Sequence, residues 1–156
     1  SPGATYFFTI TLLDRQSDYL TKYINDLNNA FRAVKKKANF RTHAIVVLPD
    51  HIHCIWELPI DDSEYSKRIR LIKTRFTQSL LQLNTPLKKN GRGNVTLWQT
   101  RFWEHRIRND RDLQTHVNYI HYNPVKHGYV KNPAEWPYST IHRFIKNGWI
   151  DESWGA

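Results

Sequence analysis

HAIVVLPDHIHCIWELP, residues His43 to Pro59, holds two runs of β-branched and aromatic residues around a central Pro-Asp pair. Runs of this composition read as strands, here 43–48 and 51–58, and the tight Pro49-Asp50 turn makes them a hairpin. In the second strand His51 and His53 stand at i and i+2, so both imidazoles point to one face while Ile52 and Cys54 point to the other. Two imidazoles on one face can converge on a metal ion. Taken alone, the same pair is also an ordinary half-exposed surface pair.

Outward from the hairpin, residues 6–13 (YFFTITLL) read as a strand that Asp14-Arg15 ends. Residues 18–37 repeat Leu20, Tyr23, Ile24, Leu27, Phe31 and Val34 at helical spacing, with Ser17 or Asp18 as cap and Lys35-Lys36-Lys37 at the favourable C-terminal end. Residues 64–83 repeat the pattern with Ile69, Ile72, Phe76, Leu80 and Leu83. Residues 84–97 hold Pro, two Gly and several cations and read as a mobile basic loop. A fourth strand is expected at 102–108. A further helix is expected from a cap at Asp110 to about Asn123, because Pro124 disfavours continuation. The tail from Gly128 is irregular and aromatic, with a short helix near 138–146. The order βαββαβ predicts an α+β, ferredoxin-like antiparallel sheet with helices on one face, extended by an added C-terminal helix and tail. It reads as one domain over residues 1–156, with a core at about 5–124 and a tail at 125–156.

The formal net charge of +9, from 23 Lys plus Arg against 14 Asp plus Glu, favours a polyanionic partner. Aromatic residues at 13% add a means of stacking on single-stranded bases, although most of them are expected in the core. The one cysteine, Cys54, excludes an internal disulfide and a cysteine-rich zinc site, and an intracellular, cytoplasmic location is expected. No apolar run reaches the roughly 20 residues of a membrane span. The chain begins at Ser1 and has no Met, which reads as a trimmed start.

Along the added helix, Leu113, Val117 and Ile120 fall in one narrow arc and read as its buried stripe. Asp112, His116, Tyr119 and Asn123 form an adjacent polar stripe, and Tyr122 points to solvent. An unperturbed phenol has a pKa near 10 and is a poor nucleophile, so Tyr119 would need nearby cations and a polarised target. A metal on His51 and His53 polarises a phosphate, and Asn123 adds a neutral oxygen ligand while leaving positions open. Asn123 also stands where a helix-end cap would.

His51-Ile52-His53, the stretch YIHYNPVKHG at 119–128 and Trp136-Pro137-Tyr138-Ser139 together resemble the REP-associated tyrosine transposases, which are single-tyrosine HUH nucleases. The resemblance runs from about Thr5 to Phe144. It implies that His51 and His53 bind Mg²⁺ or Mn²⁺, with Asn123 as third protein ligand, and that Tyr119 attacks a DNA phosphate to form a 5′-phosphotyrosine. It implies as partners hairpins of repetitive extragenic palindromes (REP) and a guide tetranucleotide beside the hairpin foot, with no nucleotide cofactor. Related insertion-sequence transposases are dimers that share active sites; a monomer is favoured here. Histidine itself suits Mn²⁺ or Zn²⁺ better than Mg²⁺, so the metal's identity rests on the resemblance.

The cations expected to meet DNA are Arg15, Lys73, Arg75, Lys88, Arg92, Arg101, Arg106, Arg108 and Lys126, with a solvated helix face as the competing reading for Arg68, Lys73 and Arg75. His116 is expected to assist the phenol or the phosphate, or to make a structural hydrogen bond. His121 and His127 are read as local structural or phosphate contacts. Trp98, Trp103 and Trp136 are candidates for base stacking, with Trp103 and Trp136 assigned to the core. Two other functions fit the composition: a replication-initiator or relaxase nuclease of the HUH type, and a non-catalytic nucleic-acid-binding module. The latter gives no reason for the His51, His53, Tyr119 and Asn123 set.

Overall fold

The computed structural model describes residues 2–156. Its elements run β1 (Pro2–Thr11), α1 (Tyr19–Lys22), α2 (Ile24–Lys37), β2 (Arg41–Val47), β3 (His51–Pro59), α3 (Tyr65–Gln82), β4 (Trp103–Arg106), α4 (Asp110–Lys126), a 3-10 turn (Pro133–Glu135) and α5 (Ile141–Lys146). The four strands form one sheet in the order β2-β3-β1-β4, antiparallel at every pairing. This is the split βαβ arrangement that the element order predicts.

Strand alternation sorts the side chains into two faces. The even-numbered residues Tyr6, Phe8, Ile10, Ile52, Cys54 and Trp56 pack with Leu27, Ala30 and Val34 of α2 and Ile69, Ile72, Phe76 and Leu80 of α3. On the other face Phe7, Ala44, Val46 and Ile55 pack against Val117 and Ile120 of α4. The stripe expected on the added helix is therefore its buried stripe, with Leu113 partly buried beside it. α4 crosses β2 and β3, and its first half reaches β4 through the Asp112–His105 bond, while Trp103 on β4 stays exposed.

Arg68 is buried on α3, not on a solvated face. Its guanidinium donates to both carboxylate oxygens of Asp62, at 2.9 and 2.7 Å, and to the carbonyls of Ala38 and Asn39, at 3.0 and 2.8 Å. It thus ties the start of α3 to the end of α2. Arg68→Ala would leave these carbonyls and the carboxylate without their partner, at an expected cost of about 3 kcal/mol. Urea denaturation measures this as a fall in midpoint at constant m-value.

The tail closes the β2 edge. Val47 N–H donates to the Tyr138 carbonyl at 2.8 Å, and Thr140 N–H donates to the Ile45 carbonyl at 3.0 Å. The Thr140 hydroxyl accepts from Ile45 N–H at 3.0 Å, and the Trp136 indole donates to the Val47 carbonyl at 3.0 Å. These bonds use up edge groups that would otherwise invite another strand. His121 of α4 bonds to the same Thr140 hydroxyl at 2.9 Å and stacks edge-on against Phe144 at 4.5 Å. Burial, then the neighbouring Arg143 and His142, lower its pKa to about 4. An unfolded histidine titrates near 6.5, so the unfolded chain takes the proton first. The contribution of neutral His121 is full above about pH 6.5 and is lost as the pH falls towards 4, by about 3 kcal/mol. His121→Gln should flatten the fall of Tm between pH 7 and pH 4.

Several boundaries differ from the sequence pattern. The helix expected at 18–37 breaks at Tyr23, which sits at φ −108° and ψ 40° between α1 and α2. Asp18 is the N-cap of α1 and makes no side-chain cap bond, while the Ser17 hydroxyl before it accepts from Tyr19 N–H at 3.2 Å. Leu83 lies beyond α3 and is exposed. The cap of α4 is Asn109, whose side chain accepts from Asp112 N–H, not Asp110. α4 also continues through Pro124 to Lys126. A proline inside a helix forfeits one hydrogen bond, but burial of Ile120, His121, Asn123 and Pro124 holds the last turn in place. Asn123 is therefore an interior helix residue rather than a cap. Residues 84–97 close on themselves, with a bridge between Lys89 and Val95 and with Asn90 Oδ1 accepting from the N–H groups of Arg92 and Asn94.

Candidate active site

Register sets the floor of the site. Thr9 of β1 lies opposite His53 of β3, and Thr11 lies opposite His51. Both imidazoles project to the α4 side, where they are buried with ring centres 4.8 Å apart. Above them the extended α4 presents Tyr119, Asn123 and His127 at successive turns. Tyr119 meets His53 edge to face at 5.3 Å, and His127 meets His51 at 5.2 Å. Asn123 thus lies between the two contacts along the helix. One chain brings His51, His53, Tyr119 and Asn123 to the same patch of sheet.

The two histidines are held by their Nδ1 atoms. His53 Nδ1 is 2.8 Å from the Thr9 hydroxyl, and His51 Nδ1 is 2.8 Å from Asp50 Oδ1. Arg15 donates to the other Asp50 oxygen. Although burial works against its ionisation, these hydrogen bonds from Arg15 and His51 hold the Asp50 carboxyl below its ordinary pKa. In the tautomer where Nδ1–H donates to these oxygens, the Nε2 of each ring keeps its lone pair for another partner. Burial, then the neighbouring His51, His127, Lys126 and Arg15, lower the His53 pKa to about 3, so it is a neutral donor at neutral pH.

Asn123 is fully buried, and neither Oδ1 nor Nδ2 has a hydrogen-bond partner among the described residues. An unpartnered buried amide costs about 1–3 kcal/mol. A divalent cation would satisfy its oxygen, and two free imidazole nitrogens with one amide oxygen fit such an ion with positions left open. Among the described residues Tyr119 is 38% exposed, and its ring lies 6.0 Å from Phe7 and 4.9 Å from Lys126 Nζ. The arrangement brings an exposed phenol, two buried imidazoles and an unpartnered amide to one patch.

The other expected residues scatter around this patch. Arg15 and Lys126 border it. His116 is one turn before Tyr119, its Nδ1 2.8 Å from the Asp112 carbonyl and its ring 4.9 Å from Phe7. Arg108 is exposed near the start of α4, and Arg101 precedes β4. Arg106 pairs with Tyr6 and so points to the opposite face of the sheet. Lys73 and Arg75 lie on α3, on that same far side. The Lys73 ammonium donates to the Gln99 carbonyl at 3.0 Å, and its burial lowers its pKa. Lys88 and Arg92 stand on the exposed loop. Trp98 is fixed to α3 by its indole N–H, 3.2 Å from the Lys73 carbonyl. Trp136 packs on the α4-side core. Trp103, expected in the core, is 66% exposed. It stands on the β4 edge and lines a cavity of about 250 Å³ with Phe7, Thr9, Thr115, His116 and Tyr119. Thr9 and Asp50 are the supporting residues that the sequence pattern did not single out. Asp50 read only as a turn residue, and Thr9 reaches His53 through a strand register that no local pattern encodes.

The family described as IS200-like transposase matches residues 4–123. A Haemophilus influenzae protein named for the REP-associated tyrosine transposases is 47% identical over 99% of this chain and 89% of its own length. The REP-associated tyrosine transposase of Escherichia coli is 44% identical over 99% of this chain and 86% of its own. A solved structure of the REP-associated tyrosine transposase bound to a REP hairpin is 43% identical, with a TM-score of 0.87 over 100% of this chain and 87% of that one. A transposase-type protein from Deinococcus radiodurans, 14% identical with a TM-score of 0.53 over 71% of this chain and 84% of its own, shares the fold alone.

Proposed function

Because the chain belongs to the IS200-like transposase family, among the REP-associated tyrosine transposases, we propose that it is a metal-dependent endonuclease and strand transferase for single-stranded DNA carrying REP-type hairpins. The observation that carries this reading is the contact of Tyr119 with His53, over a floor where both histidines keep Nε2 free and the Asn123 amide is buried without a partner. A divalent cation, Mg²⁺ or Mn²⁺, on His51, His53 and Asn123 would draw charge from the scissile phosphate.

The residues of the chain supply the rest. The Tyr119 oxygen attacks phosphorus and loses its proton, the bond from phosphorus to O3′ breaks, and the leaving strand departs with a 3′-OH. The 5′ end stays on Tyr119 as a phosphotyrosine. A 3′-OH attacking that phosphorus reverses the step and joins strands. Bond energy is retained throughout, so no nucleotide is consumed. Asp50 and Thr9 keep the imidazoles oriented, and Lys126 Nζ lies over the Tyr119 ring.

The hairpin and an adjacent guide tetranucleotide are the proposed partners, met by a monomer in the cytoplasm. Arg15, Arg101, Arg108, Lys88, Arg92 and Lys126 are the proposed phosphate contacts. No helix of the described residues is long and apolar enough to cross a membrane. Trp103 is a proposed stacking platform for the single strand beside the hairpin. Trp103→Ala should weaken binding of a hairpin with its flanking strand by about 5- to 100-fold, from a stacking loss of about 1–3 kcal/mol. Fluorescence anisotropy should show no such loss for the hairpin without its flank.

The reading is tested with an end-labelled REP hairpin bearing its flanking strand, incubated with the full chain and Mn²⁺ or Mg²⁺. Nicking and a DNA adduct on Tyr119 in mass spectrometry are expected. Tight binding with neither nick nor adduct in either metal would leave a binding module in place of an enzyme.

A further inference from the structure

The same sheet face carries a second cluster of donor atoms at the β4 edge. His105 lies opposite Phe7 in the β1–β4 register, so its ring points to the α4 side. Asp112 and His116, one turn apart in the first half of α4, face it. His105 Nε2 is 2.8 Å from Asp112 Oδ2, and His116 Nδ1 is 3.2 Å from Asp112 Oδ1. The two rings stack with centres 4.6 Å apart. One donor atom from each of the three residues lies within 4.8 Å of the other two. The tyrosine chemistry described above does not use Asp112 or His105.

We propose that His105, Asp112 and His116 form a second divalent-cation site, separate from His51, His53 and Asn123 and suited to Zn²⁺. The donor chemistry points to this ion. Two imidazole nitrogens and one carboxylate oxygen are a three-ligand zinc set that leaves a fourth position open, whereas Mg²⁺ favours oxygen ligands. The spacing points the same way. Ligands at about 2.0–2.1 Å from a tetrahedral ion stand about 3.4 Å from one another. Each histidine stands near that separation from one Asp112 oxygen, His105 at 2.8 Å from Oδ2 and His116 at 3.2 Å from Oδ1, and the three donors lie within 4.8 Å of one another.

The support around the donors is also in place. Two ligands come from adjacent turns of one helix and the third from a strand paired with β1, so no loop has to rearrange. Arg108 N–H donates to Asp112 Oδ2 at 3.0 Å, and the Asn109 side chain holds Asp112 N–H at 2.8 Å. All three side chains are partly exposed, which gives an ion a route in. His116 also lines the cavity shared by Trp103 and Tyr119, so the open position lies near that cavity. Both histidines are hydrogen-bonded to Asp112, through its carboxylate and its carbonyl.

The test is isothermal titration of Zn²⁺ into the full chain carrying His51→Ala and His53→Ala, which removes the first site. One equivalent of Zn²⁺ is expected to bind. Adding His105→Gln, which keeps an N–H able to reach Asp112, should abolish that equivalent while circular dichroism stays unchanged. Asp112→Asn is a second removal of a ligand, and His105→Gln decides alone if that variant does not fold. Co²⁺ in place of Zn²⁺ should give visible absorption that His105→Gln removes. No Zn²⁺ uptake by the His51→Ala, His53→Ala protein, or uptake unchanged by His105→Gln, overturns the second site and leaves a hydrogen-bonded tether between β4 and α4.

Discussion

Tyr119→Phe should lower cleavage of a REP hairpin substrate by a factor on the order of 10⁴ or more and eliminate the covalent adduct. The substitution removes one oxygen and little else. Among the described residues the Tyr119 hydroxyl has no hydrogen bond to lose, and the ring keeps its contacts with Phe7, His53 and Lys126. Fold and hairpin affinity should therefore hold, with anisotropy and thermal unfolding matching the parent chain. The size of the loss follows from the role, because no neighbouring group can replace a nucleophile that itself becomes bonded to phosphorus. Tyr122, three residues on, projects from a different face of α4, towards Trp154 at 6.5 Å. Cleavage that survives in Tyr119→Phe would move the nucleophile elsewhere and end the proposed mechanism.

His53→Ala should reduce cleavage by a factor on the order of 10³ or more, since loss of a metal that polarises the phosphate removes several kcal/mol of transition-state stabilisation. The imidazole is held between the Thr9 hydroxyl and the Tyr119 ring. Alanine leaves His51 and Asn123 too few to retain an ion at micromolar concentrations. Hairpin binding should change by less than about threefold, because it rests on phosphate contacts made by cations elsewhere. Measured cleavage rates across a Mn²⁺ titration separate the outcomes. Activity restored at high Mn²⁺ would still mark His53 as a ligand, whereas wild-type activity at every Mn²⁺ concentration would remove it from the site.

Periodicity made the outline of this fold legible. The alternation around His51 and His53 and the stripe of Leu113, Val117 and Ile120 each predicted a face, and the structure has those faces. What periodicity does not carry is which element covers which face. Trp103 reads as core because it alternates correctly, yet α4 meets β4 at His105 and leaves the Trp103 ring in solvent. Arg68 reads as surface because it is charged, yet two carbonyls at the end of α2 and the Asp62 carboxylate meet it below the surface. Pro124 reads as a stop because its ring opposes helix, yet burial of its neighbours outweighs one missing hydrogen bond. That extra turn puts His127 against His51, a contact that a helix ending at Asn123 would not make. The candidate site was legible where chemistry resides in residue types, at His51, His53 and Tyr119. Its supports were not, because Thr9 and Asp50 act through cross-strand register and a turn.

The chain from Arg15 through Asp50 to His51 grades the site by its access to dissolved ions. The Arg15 side chain is 56% exposed, whereas those of Asp50 and His51 are 7% and 5% exposed. Mobile ions weaken interactions between exposed charges over a Debye length of about 8 Å at physiological ionic strength and act far less on sheltered ones. Raising ionic strength therefore loosens the guanidinium first and leaves the carboxylate's hold on the imidazole largely intact. Conditions that strip a polyanion from the surface of this protein need not disturb the donor atoms beneath it.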